Sequence, residues 1–219
     1  MIFESSTQIS LKPPATQTGS RTLIMNRTGE IERKTTETNI HIFLNLDGQG
    51  QADVASGIPF LDHMLTLFAV HGFFDLTVKA EGDIEVDYHH TIEDVGLVLG
   101  DSISRALGER LGIRRYGHAV IPMDDTLAAV TVDLSNRPFL VCNTPEPIDY
   151  GIPFNPSLTR EFFRALVNRG GMNLHINVAY GENDHHVIES IFKAFARALD
   201  QAVAIDGRFS GVPSSKGTL

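Results

Sequence analysis

Hydrophobic and polar positions show no order at the start of this chain, and then the same order twice. Residues 1–28 are polar and rich in Ser, Thr and Pro, without a sustained period, and read as a flexible N-terminal extension. From Gly29 the pattern tightens. Residues 30–33 and 39–44 look like two strands of a meander, closed by the turn signal Asp47-Gly48. Between residues 61 and 72 apolar side chains recur at helical spacing, and Gly72 is placed to cap the C-terminus. Residues 76–80 alternate like a strand. A long amphipathic helix is then expected to about Leu111, ended by Gly112.

The second half restarts the series. Strands are expected at 119–122 and 127–134, a helix at 158–168, a strand at 174–178 and a last helix at 188–204. Gly151-Ile152-Pro153-Phe154 copies Gly57-Ile58-Pro59-Phe60. Strand, strand, helix, strand, helix thus occurs twice, which divides the chain into halves at 29–114 and 115–208 with a tail at 209–219. Setting Leu76 against Leu174 gives an offset of 98 that also aligns Gly72 with Gly170. On that ruler His63 falls opposite Glu161, whereas His71 meets Arg169 and His175 meets Thr77.

Composition narrows the class. With 219 residues and 42% hydrophobic content the chain can bury a real core. A net charge of −9 argues against non-specific nucleic-acid binding, and no apolar run is long enough to span a membrane. The single Cys142 cannot pair internally, and the N-terminus lacks a secretory pattern, so a cytoplasmic location is expected.

The chemistry concentrates in two doublets. His89-His90-Thr91-Ile92-Glu93 recurs in order and spacing as His185-His186-Val187-Ile188-Glu189. His89 with Glu93, and His185 with Glu189, are i,i+4 pairs that share a helix face and can close on one ion. Adjacent residues diverge by about 100°, so His90 and His186 are expected to reach a different ion. Carboxylates at a helix start are ordinary surface features favoured by the helix dipole, but histidine pairs there are not. Two identical doublets point to a two-metal site for a borderline divalent ion. His63 and Glu161 join the candidate ligands through their shared place in the repeat. His41, His118 and His175 carry no such signal, and His71 is the best candidate among the others for a substrate contact.

An anionic substrate would need cations. Arg114-Arg115, Arg137, Lys193 and the tail Ser214-Ser215-Lys216-Gly217 are each ordinary surface groups, yet together they can form a phosphate site. Spacing does not decide between the two readings.

Phe60-Leu61-Asp62-His63-Met64, the two doublets and Ser135-Asn136-Arg137-Pro138 together resemble the imidazoleglycerol-phosphate dehydratase family, over residues 29–219. The resemblance implies an internally duplicated α+β unit, ribosomal protein S5 domain 2-like, each half a four-stranded mixed sheet packed by two helices. It implies loss of water from D-erythro-imidazole glycerol phosphate to give imidazole acetol phosphate in histidine biosynthesis. It further implies two manganese ions per active site, and trimers built into an octahedral homo-oligomer with sites between subunits. Carried over by position, the ligands are His63, His89, His90, Glu93, His185, His186 and Glu189. The eighth falls on Glu161, where some members have His. Phosphate contacts fall on Arg115, Arg137, Lys193, Ser215 and Lys216, and Glu37 matches a substrate-contacting Glu. Leu67 stands where some members have Gln. The proton to be removed lies beside an imidazole ring and is barely acidic, so metal on a ring nitrogen would ease loss of the neighbouring hydroxyl. Glu37, Glu93 or Glu189 would then move the proton.

Two other readings fit the same residues. A two-metal phosphate-ester hydrolase uses similar ligands and cations, and a non-enzymatic shell would use the ions only to join subunits.

Overall fold

The computed structural model describes residues 27–145, 156–208 and 210–217. The expected extension up to residue 26 and the Gly151–Phe154 copy lie outside these residues. The first half runs β1 (Thr28–Lys34), β2 (Thr38–Asn45), β3 (Ala52–Ala55), α1 (Pro59–Gly72), β4 (Asp75–Gly82) and α2 (His89–Leu107). The second runs β5 (Tyr116–Met123), β6 (Thr126–Asp133), β7 (Phe139–Asn143), α3 (Pro156–Gly170), β8 (Asn173–Tyr180) and α4 (Asp184–Val203). The sheets have the same topology, β1-β2-β4-β3 and β5-β6-β8-β7. In each, the last-placed edge strand runs parallel to its neighbour and the other pairings are antiparallel. The parallel pairs are those joined through a helix, β3–α1–β4 and β7–α3–β8, because a parallel connection needs a crossover. This is the duplicated α+β unit with a four-stranded mixed sheet and two helices in each half.

Period-2 alternation puts one face of each sheet in the core. Ile40, Ile42 and Leu44 of β2 are fully buried, in register with Val78 and Leu76 of β4. Val130 and Val132 of β6 do the same against Ile176 and Leu174 of β8. Helix α2 covers the first sheet and α4 the second, while α1 packs chiefly on α4 and α2 on α3. Helices of the two halves therefore meet each other across the middle, forming one continuous core. Phe195 of α4 marks the junction, stacked on Phe68 of α1 with centroids 5.5 Å apart and edge-on to Phe163 of α3 at 5.3 Å. The approach of α2 and α4 to their sheets is close enough to demand glycine. A Cβ on Gly29 would meet the Ser102 carbonyl oxygen at 2.0 Å, and one on Gly117 the Ala198 carbonyl oxygen at 1.8 Å.

Three boundaries differ from the sequence reading. β1 begins at Thr28, inside the expected 1–28 segment, and pairs that residue with Asn45. Helix α1 is capped by Phe73 in the left-handed region (φ 57°), not by Gly72. Gly72 is small for a different reason: a Cβ there would meet the Phe74 ring at 2.3 Å. Helix α2 stops at Leu107 with Gly108 as its cap, four residues before Gly112. Beyond it the buried Arg110 donates to the carbonyls of Gly171 (2.7 Å) and Gly170 (2.8 Å), closing the C-terminus of α3.

Candidate functional site

Both doublets sit on the first turn of their helices. Asp87 Oδ1 accepts the His89 N–H at 2.7 Å ahead of α2, and Asn183 Oδ1 accepts those of His185 (2.9 Å) and His186 (3.4 Å) ahead of α4. Asn183 is the N-cap of α4, and Asp87, one residue before the N-cap of α2, likewise satisfies an N–H the helix leaves unpaired. Within each doublet the imidazole planes stand nearly perpendicular, at 84° for His89–His90 and 80° for His185–His186. Neighbouring rings thus address different places, as the helical turn requires.

One three-donor group forms among the described residues. His63 of α1 and His185 and Glu189 of α4 bring one ligand atom each within 4.8 Å of one another. Glu189 Oε2 lies 3.1 Å from His185 Nε2 and 3.4 Å from His63 Nε2. Phe60 packs edge-on against the His185 ring at 5.1 Å. The other carboxylate oxygen of Glu189 takes Lys193 Nζ at 2.5 Å. Burial by itself would raise the Glu189 carboxyl, but hydrogen bonds from Lys193, His185 and His63 outweigh it and hold the group below its usual range. An ionised carboxylate between two imidazoles suits a divalent ion such as zinc or manganese, so this donor set fits a metal.

The first doublet is more open. His89 Nε2 lies 3.5 Å from Glu93 Oε2, with both side chains close to half exposed. Glu161, the repeat counterpart of His63, is paired with Arg164 at 3.0 Å on its own helix. The described residues do not gather it with His89 and Glu93 into a three-donor group. His90 and His186 share a different arrangement. His90 Nδ1 bonds Asp83 at 3.0 Å, with Glu37 at 3.9 Å, and the Asp83 bond raises the imidazole above its ordinary value. His186 Nδ1 donates to Asp125, which also accepts the N–H groups of Glu182 (2.5 Å) and Asn183 (3.1 Å). The His186 bond is the leading reason that the Asp125 carboxyl falls to about 2. A carboxylate on Nδ1 selects Nε2 as the nitrogen available to a metal.

Sequence reasoning missed Asp83 and Asp125. The repeat held the signal for the second, since Asp124-Asp125 occupies the β5–β6 turn where the first half has Glu37 in the β1–β2 turn. Asp83 has no sequence signal beyond closing a strand.

The cationic groups do converge, in part. Arg115, Arg137, Ser215 and Lys216 line one cleft of about 410 Å³ together with Tyr116, Ser135 and Ser214. Arg115 adopts φ 72°, lies over the Tyr116 ring at 4.8 Å and is clamped by Asp133 at 2.7 and 3.2 Å. Its Nη1 donates to the Pro213 carbonyl at 2.7 Å, so this residue fastens the tail to the cleft. Lys193 and His71 are elsewhere. Lys193 belongs to the Glu189 group, and His71 on α1 is pushed below its ordinary value by burial first, then by Lys193 and Arg197.

Comparison with known proteins gives one consistent answer. A family model described as imidazoleglycerol-phosphate dehydratase matches residues 56–199. The imidazoleglycerol-phosphate dehydratase of Syntrophobacter fumaroxidans is 57% identical over 193 residues, 88% of this chain and 98% of the relative. That of Geobacter sulfurreducens is 54% identical over 195 residues, 89% of this chain and all of the relative. Crystal structures of the enzyme superpose as well. The Staphylococcus aureus protein gives a TM-score of 0.73 at 38% identity, covering 82% of this chain and 99% of that one. The Pyrococcus furiosus protein, in complex with (S)-C348, gives 0.76 at 34% identity over 86% of this chain and 100% of that one.

Proposed function

The chain belongs to the imidazoleglycerol-phosphate dehydratase family, hydro-lyases of histidine biosynthesis, and from that membership we propose that it removes water from D-erythro-imidazole glycerol phosphate to give imidazole acetol phosphate. The observation that carries the reading is the pairing of the His63–His185–Glu189 group with a separate cationic cleft of about 410 Å³. One suits a metal-bound imidazole ring and the other a phosphate.

Two manganese ions per active site is the cofactor assignment we favour. His63, His185, His186 and Glu189 would serve one set of positions, and His89, His90, Glu93 and Glu161 the matching set from the other half. When bound, the ions supply Lewis acidity towards the ring nitrogens. The chain's own groups do the rest. Glu37, a half-exposed carboxylate in the β1–β2 turn, is poised to move the proton beside the ring. Arg137, Ser215 and Lys216 hold the phosphate, while Arg115 seats the tail that carries the last two. Lys193 keeps Glu189 ionised. His71 is less basic than an ordinary imidazole and so is neutral at neutral pH, able to contact substrate without adding charge.

Eight ligands with one three-donor group formed among the described residues favour sites completed by another copy of the chain. A homo-oligomer of trimers in octahedral symmetry, working in the cytoplasm, is the assembly proposed.

The test is turnover of imidazole glycerol phosphate before chelation, after it, and after manganese is restored. Activity that disappears and returns with the metal is expected, with Glu37→Gln lowering turnover at unchanged metal content. No turnover by the manganese-replete protein refutes the proposal, and release of inorganic phosphate instead would favour the hydrolase.

A further inference from the structure

Asn173 opens β8 at the position where Asp75, 98 residues earlier, opens β4. The two side chains face equivalent loops and do opposite things. Asp75 accepts N–H groups from Gln49 (2.8 Å) and Gln51 (3.1 Å), closing the loop between β2 and β3. Asn173 donates through Nδ2 to Ser135 Oγ at 3.0 Å and to the Arg137 carbonyl, closing the loop between β6 and β7. That second loop lines the cationic cleft and carries Arg137. It is also a conformation that needs holding, because Asn136 sits at φ 56°. Gly171 presses on it from behind: a Cβ there would meet Asn136 Oδ1 at 2.7 Å.

We propose that Asn173 is a positioning residue for the phosphate end of the substrate, acting through Arg137, whose carbonyl it holds with a neutral amide. The inference rests on Arg137 binding the phosphate. The choice of amide follows from the chemistry. A carboxylate has no proton to donate to a carbonyl, and it would set a negative charge beside a cleft that must accept one. The loop of the first half carries Asp47-Gly48-Gln49-Gly50 and no cation, and there a carboxylate serves.

The experiment is steady-state kinetics on the manganese-replete enzyme with imidazole glycerol phosphate, comparing Asn173→Asp, Asn173→Ala, Arg137→Ala and the charge-neutral Asn173→Ala/Arg137→Ala pair. Asn173→Asp should raise KM about tenfold, the order expected for losing one charge-assisted contact. Its kcat should stay within about twofold and its metal content should be unchanged. Asn173→Ala, which loses the bond without adding charge, should raise KM by less. The double variant should be no worse than Arg137→Ala alone, since both changes remove one contact. If Arg137→Ala raises KM while both Asn173 variants bind as wild type, the positioning role is wrong and the phosphate reading stands. If Arg137→Ala leaves KM unchanged, both fall. KM effects that simply multiply in the double variant also overturn action through Arg137.

Discussion

Replacing Asp125 with Asn tests the claim that carboxylates on Nδ1 prepare the outer histidines for metal. The wild-type carboxylate accepts from His186 Nδ1 and from two backbone N–H groups, those of Glu182 and Asn183. An amide has one acceptor oxygen and one NH2, so it either presents a donor to the Nδ1–H or turns and abandons the backbone. In both cases His186 loses the partner that fixes its tautomer and ring. Removing such a partner weakens metal binding about 10–100-fold, or about 1.4–2.7 kcal/mol. With metal in excess the loss appears in folding stability as well, because a ligand stabilises in proportion to the logarithm of its occupancy ratio. For a chain of this size about 2–4 °C in Tm accompanies each kcal/mol, so the metal-dependent rise in Tm should shrink by about 3–10 °C. The assay is manganese titration by calorimetry with thermal melts of apo and loaded protein. The apo melt separates damage to the α4 start from loss of metal. A manganese affinity within twofold of wild type would refute the reasoning.

Two further outcomes concern stability. Gly117→Ala sets a Cβ against the Ala198 backbone, which cannot yield as a side-chain tip would, so destabilisation of about 1–3 kcal/mol is expected as a lower urea midpoint at unchanged slope. A normal midpoint would mean that β5 and α4 do not approach as described. The Asp75 carboxyl is held below its usual value, chiefly by the Gln49 N–H. Its folded pKa lies under the unfolded one, so its contribution is complete above about pH 4 and is lost as pH falls through the depressed value. Asp75→Asn should therefore flatten the acid limb of a Tm-against-pH curve, and an unchanged limb would exclude the effect.

The duplicated architecture was legible because both carriers of the repeat are strongly periodic. The offset of 98 read from Leu76 and Leu174 is the spacing at which β4 and β8 begin. β3 and β7 escaped the residue pattern for a physical reason: they are parallel edge strands of four and five residues, neither with a fully buried position, so there is no alternation to read. The four-strand count came from the family resemblance. The doublets were readable because their chemistry is local to one helical turn. Which third ligand joins them was half readable: His63 reaches the doublet of the other half, which the ruler did not say. Asp83 could not be inferred from spacing, since it meets His90 only through the fold, whereas Asp125 was signalled by the repeat at the turn that matches Glu37. Lys193, expected at the phosphate from its charge and from the resemblance, pairs with Glu189 one turn away.

The packing of α1 on α4 and α2 on α3 has a consequence for how such a chain arises. Each half covers its sheet with one helix and leaves the rest of its helical surface to be buried by the other half, and His63 meets a doublet across that boundary. Joining the two halves into one polypeptide removes the obligation that they remain alike. His63 on one side and Glu161 on the other are what that freedom looks like: positions matched in the repeat that carry different side chains, one beside Glu189 of the other half and one paired with Arg164 on its own helix.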